Sequence, residues 1–170
     1  MSSDNLNRIR VKQVVLLIPG IHLRMVQRIL GTSFSTARYH VDNLERDGQI
    51  LRSKKGHYDR LYPVGTTEEM KGVFNCLQSK SVRTVLRSLL DLGVEPTHGD
   101  ISKMVDLPGS TTTECLALLT RTHLVERTSA VDGRIVYRIK DPEGASQLLT
   151  ALTQGWVSLA TEGFIDLWDL

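Results

Sequence analysis

The chain of 170 residues is 41% apolar and 24% charged, the balance of a globular protein with room for one large domain or two small ones. It holds no run of about 18 apolar residues, so no membrane-spanning helix is expected, and its two cysteines, Cys76 and Cys115, cannot build a disulfide framework. The net charge of +2 divides unevenly: residues 1–70 hold 11 Lys and Arg against 7 Asp and Glu, whereas residues 71–170 hold 10 against 12.

Between residues 8 and 60 the balance is 11 cations to 4 anions, which points this part of the chain towards a polyanion. The opening stretch, MSSDNLNRIRVKQ, sets acidic and amide side chains before any apolar run and does not read as a signal peptide. A cytoplasmic protein is expected.

Residues 6–18 form a first helix with apolar positions at Ile9, Val14, Leu17 and Ile18, ended by Pro19 and Gly20. Residues 21–30 form a second, burying Leu23, Val26, Ile29 and Leu30 and exposing His22, Arg24 and Arg28. Gly31 and Thr32 turn the chain, and Ser33 and Ser35 offer oxygens to cap a third helix, reading about 35–47. Ala37, Val41 and Leu44 recur at i, i+4 and i+7, the spacing of one buried face. That leaves Ser35, Thr36, Arg38, Tyr39, Asp42, Asn43 and Arg46 outside. Gly48 stands where a helix end needs positive φ. The stretch ILRSKKGHYDRLYPV then reads as two strands joined at a basic tip over 54–56, closing with Leu61 and Tyr62 before Pro63. Helix, turn, polar-faced helix and basic hairpin together make a winged helix-turn-helix.

Residues 65–78 mix Gly65, Thr66, Thr67 and Gly72 with Met70, Val73, Phe74 and Leu77, which suggests a linker that packs. The first pattern then returns at an offset of 75, which sets Ser35 on Ser110, Val41 on Leu116, Leu44 on Leu119, Ile50 on Val125 and Tyr62 on Tyr137. The second copy has helices at about 80–92, 97–105 and 109–122 and strands at 124–129 and 134–139, turning at Asp132 and Gly133. From Pro142, which suits a first helical position, Leu148, Leu149, Leu152, Trp156, Leu159 and Ile165 recur at roughly helical spacing, interrupted by Gly155 and Gly163. This last helix either covers the second domain or dimerises. The expected fold is therefore mainly α with small β-hairpin wings, an α+β chain of two tandem winged helix-turn-helix domains and a C-terminal helix. The divisions are 1–64, a linker at 65–78, 79–141 and 142–170.

The run Leu30-Gly31-x-Ser33-x-Ser35-Thr36-x-Arg38-Tyr39-His40-Val41-x-x-Leu44-Glu45-x-x-Gly48-x-Ile50 resembles the recognition-helix region of archaeal and bacterial winged-helix regulators, archaeal relatives of the ArsR and MarR groups above all. The resemblance covers residues 8–62 well and 79–140 more loosely. It implies a transcription regulator that reads duplex DNA, with a Ser-x-Ser-Thr turn opening the recognition helix and Leu-Glu-x-x-Gly-x-Ile closing it. The chain departs from metal-sensing ArsR members in lacking a Cys-x-Cys pair on that helix. In the second copy Thr113, Glu114 and Cys115 replace Arg38, Tyr39 and His40, so a base-reading role there is not expected, although Arg134 and Arg138 remain for phosphate.

DNA affinity comes largely from neutralised phosphates, so cations are needed at several points of the footprint. Arg24 and Arg28 on the second helix and Lys54, Lys55 and Arg60 on the hairpin supply them. Ser35 and Thr36 suit phosphate oxygens at a helix start. Arg38 suits a bidentate contact to guanine, and Asn43 and Tyr39 a base edge or thymine methyl, with packing on the hairpin as the other use of Tyr39. Asp42, Glu45 and Asp47 oppose binding, and the other use of Arg38 and Arg46 is to be solvated or to pair with Asp42 and Glu45. His40, beside the buried face, suits an internal hydrogen bond. No catalytic, metal or cofactor motif stands out. The expected partners are double-stranded DNA and a second copy of the chain, in a nucleoid setting. A protein partner held by the second domain, a wholly protein-binding scaffold and non-specific DNA coating are the alternatives.

Overall fold

The computed structural model describes residues 3–55, 57–93 and 95–161, with side chains for 5–54, 57–93 and 95–160. The expected positions Gly163 and Ile165, and the side chain of Lys55, lie outside the described residues. The chain is mainly helical with two small antiparallel sheets. Among the described residues no helix is long and apolar enough to cross a membrane. Two compact units form, Met1–Lys71 with Leu152–Leu170, and Gly72–Ala151.

In the first unit α1 (Ser3–Leu17) leads through Pro19 and Gly20 to β1 (Ile21–His22), α2 (Leu23–Leu30), α3 (Phe34–Arg46), β2 (Ile50–Lys55) and β3 (Tyr58–Pro63). The inward face of α1 is Val11, Val14, Val15 and, just past its end, Ile18, while Ile9 is exposed. Val26 and Ile29 of α2 and Ala37, Val41 and Leu44 of α3 close on that face, with Ile50 and Leu61 below them. Burying a side chain of this size fully is worth about 1.5–3 kcal/mol, so this cluster is the main source of the unit's stability. Leu30 is only half-buried against it.

Residues 21 and 22 do not open a helix. Ile21 and His22 pair with Leu61 and Arg60 of β3, giving a three-stranded sheet in the order β1-β3-β2. His22 then caps α2, its Nδ1 accepting the Met25 N–H at 3.2 Å. Ser33 alone caps α3, accepting from Thr36 N–H at 3.1 Å, and its Oγ also lies 2.9 Å from Ser35 Oγ and 2.8 Å from Thr36 Oγ1. Helix α3 so begins one residue earlier than its spacing suggests.

The expected linker is largely α4 (Glu68–Leu77), which ends on buried Cys76 and Leu77. In the second unit α5 (Lys80–Leu92), α6 (His98–Met104), α7 (Gly109–Arg121), β4 (Val125–Ser129) and β5 (Ile135–Ile139) follow the order of the first. The offset of 75 carries over into the backbone. Phe34 and Gly109 open equivalent helices, and Arg46 and Arg121 close them. His22 and Thr97 cap equivalent helices, and Gly48 at φ 64° is matched by His123 at φ 61°. A single bridge between Thr97 and Val136 stands where β1 pairs with β3 in the first unit.

Helix α8 (Pro142–Thr161) has a part in each unit's interior. Its first half buries Ala145 and Leu149, and its second half adds Leu159 and Trp156 to the cluster of the first unit. Gly155 is what permits this. A Cβ there would stand 2.3 Å from the Leu17 carbonyl oxygen, so only glycine allows α8 to approach the end of α1 this closely.

Candidate nucleic-acid interface

Helix α3 presents a polar face because its apolar residues fall on one side. Ala37, His40, Val41 and Leu44 are buried, and His40 is only 1% exposed, so it belongs to the interior as its place beside the apolar stripe suggests. On the outer side Tyr39 is 54% exposed and the Arg38 side chain 61%. Tyr39 sets its ring edge-on to His40 at 5.3 Å between centroids, which fixes the ring from behind. Ser35 is exposed at the helix start, and Thr36 is partly buried beside it.

Helix α2 carries Arg24 and Arg28 one turn apart, both exposed. Lys54 is exposed near the end of β2. Among the described residues these three cations have no ion-pair partner. Arg60 is placed differently from its expected role. It is partly buried and donates from NH1 to the Gly20 carbonyl at 2.9 Å, tying β3 to the turn before β1. Asn43 accepts from the Arg46 guanidinium, so both polar groups are engaged along their own helix, and Arg46 does not pair with Asp42 or Glu45.

The electrostatics turn on Arg52, which the sequence reading did not single out. Its side chain is only 10% exposed and stands where three carboxylates converge. NH2 bonds Asp42 Oδ1, Nε lies 3.0 Å from Glu45 Oε2, and NH1 lies 3.6 Å from Asp59 Oδ2. Arg8, from α1, bonds the fourth acid, Asp47. Two arginines thus hold all four anions between residues 8 and 60. The two arginines fix where these acids stand, and with 11 cations to 4 anions the stretch stays positive.

That potential reaches His22. Burial, then the charges of Arg60, Arg28 and Arg24, hold its imidazole below the ordinary histidine range. The neutral ring suits its work as a cap acceptor, and it lies against Tyr58 at 5.6 Å, linking the start of α2 to the hairpin.

In the second unit Arg127 is exposed, but the other cations about the hairpin stand beside acids. Arg134 pairs with Asp132 at 2.6 Å, Arg138 with Glu126 at 3.4 Å and Glu95 at 3.7 Å, and Lys140 with Glu126 at 3.5 Å. Thr113, exposed where the first unit has Arg38, carries no charge and shares a hydrogen bond with His98 Nε2 at 3.0 Å. Cys76 and Cys115 are both buried free thiols, and burial pushes the Cys76 thiol up to about 11, which leaves it protonated and unreactive at neutral pH. Comparison with known protein families and with curated proteins found no match.

Proposed function

We propose that the protein is a DNA-binding transcription regulator built from two tandem winged helix-turn-helix domains, with the first domain reading duplex DNA. In this reading α3 is the recognition helix and enters the major groove, while the β2–β3 hairpin is the wing and lies along the flanking backbone. The observation that carries it is the tying of all four acids of this stretch to Arg8 and Arg52, beside an exposed Arg38 and Tyr39 and, among the described residues, Arg24, Arg28 and Lys54 without an ion-pair partner. Arg38 contacts guanine; Ser35, Arg24, Arg28 and Lys54 contact phosphate. Lys55 joins them through its position at the hairpin tip. Thr36, Tyr39 and Asn43 complete the face, and Arg60 supports the hairpin from within.

The second domain is a companion rather than a second reading head, because Thr113 stands where the first has Arg38, and Arg134, Arg138 and Lys140 are matched by its own acids. It suits a protein partner. One reading head covers a single half-site, so two copies of the chain bind half-sites about one helical turn apart, and the exposed Leu6, Ile9 and Leu16 of α1 offer an apolar contact for pairing.

The test is fluorescence anisotropy on random-sequence duplexes and on duplexes selected from a random pool, across a salt series. Lys54→Ala is expected to weaken binding to all duplexes alike. Arg38→Ala is expected to lose about tenfold or more on selected duplexes and much less on random ones, since a bidentate base contact is worth about 1–3 kcal/mol. Failure of the wild-type protein to bind duplex DNA at low salt overturns the reading.

A further inference from the structure

The recognition helix carries an acid, Asp42, one turn after its best base-reading residue, Arg38. An acid on a DNA-facing helix ordinarily costs affinity through repulsion of phosphate. Its surroundings give it another use. One carboxylate oxygen, Oδ1, is bonded by the largely buried Arg52, which is itself held by Glu45 and Asp59. The other, Oδ2, lies 3.8 Å from Arg38 Nε, an ion pair between residues i and i+4 of one helix. The chain of charges therefore runs from the interior outwards, Arg52 to Asp42 to Arg38.

The internal repeat supplies an independent comparison. At the offset of 75, Arg38 becomes Thr113, Asp42 becomes Ala117 and Glu45 becomes Thr120, and in the register of the second hairpin Asp59 becomes Ile135. Arg52 becomes Arg127, which is exposed. The copy that lacks the reading arginine thus lacks every acid of the cluster, although it keeps the strand arginine. Clamping the hairpin to the helix does not require these acids, since β4 and β5 form and pack without them. Their presence follows that of Arg38.

We propose that Asp42 is a positioning residue for Arg38, which fixes the guanidinium for guanine recognition. A carboxylate drawn to Nε leaves the two terminal nitrogens for guanine O6 and N7, which accept from such a pair. Arg52, shared among three carboxylates, holds Asp42 in place and offsets part of its charge. This rests on the reading of α3 as a DNA recognition helix.

The test compares Asp42→Asn with Glu45→Gln on selected and random duplexes by anisotropy. Both variants remove one partner of Arg52, so loosening of the hairpin affects both, and thermal melting monitors it. The inference expects Asp42→Asn to bind random duplexes as well as wild type or better, having lost a negative charge, while its preference for guanine at the Arg38 position falls about tenfold. Glu45→Gln keeps the preference, and Asp42→Glu restores part of it. A wild-type protein that discriminates, beside an Asp42→Asn variant that discriminates equally, overturns the inference and leaves the DNA reading standing. A Glu45→Gln variant that loses the preference equally also overturns it, by showing that the clamp alone matters. A wild-type protein that does not bind DNA overturns both.

Discussion

At the scale of single residues, His22 joins structure to solution conditions. Its Nδ1 must be unprotonated to accept the Met25 N–H, and burial followed by Arg60, Arg28 and Arg24 holds its pKa below 6.5. The unfolded chain has none of these constraints and takes up the proton near 6.5. Between the two values the unfolded state binds more protons, so stability falls as the pH falls through this window and is fully present above it. Asparagine at this position keeps a cap acceptor and removes the titration. Thermal melting between pH 7.5 and pH 5 is therefore expected to show a larger loss for wild type than for His22→Asn. Parallel profiles for the two proteins would rule this account out. His22 was legible in the sequence only as an exposed neighbour of two arginines, because its cap depends on where the preceding strand ends.

Elements show most plainly what the sequence carries. The helices of the second unit fall within a residue or two of their expected bounds, since caps, Gly and apolar spacing are local signals. The two-residue β1 carries no local signal: it exists because β3 offers Ile21 and His22 an edge. The cluster around Arg52 was invisible for a similar reason, drawing on α3, β2 and β3 at once. Gly155 weakened the expectation of a C-terminal helix, and the structure gives its reason in the close approach to Leu17. Two glycine substitutions separate helix propensity from packing. Gly72→Ala, in α4 with open space around it, is expected to stabilise by about 0.5–1 kcal/mol. Gly155→Ala drives a Cβ into a backbone carbonyl and is expected to destabilise by about 1–3 kcal/mol despite the same gain in propensity. Urea denaturation reads both, and a stabilised Gly155→Ala protein would mean that α8 does not rest on α1.

Across the whole molecule, charge pairing rather than charge count distinguishes the two units. The second unit's hairpin is as rich in cations as the first, yet of these only Arg127 lacks an ion pair among the described residues, while Arg134, Arg138 and Lys140 are each within ion-pair distance of a carboxylate. Asp132 takes both the backbone N–H and the side chain of Arg134, and these hydrogen bonds, backbone first, hold its carboxyl below the usual range. A phosphate would have to compete with those acids for each cation, and the acids would remain nearby to repel it. Among the described residues Lys54, Arg24 and Arg28 have no ion-pair partner to compete with phosphate. For duplex DNA the logarithm of affinity falls with the logarithm of salt at about 0.9 for each phosphate neutralised, so the slope counts contacts directly. Lys54→Ala is expected to reduce that slope by about one, and a double Arg134→Ala/Arg138→Ala variant to leave it unchanged. A reduced slope in the double variant would assign phosphate contacts to the second unit as well, and the pairing of its hairpin cations would then be a resting arrangement that DNA displaces.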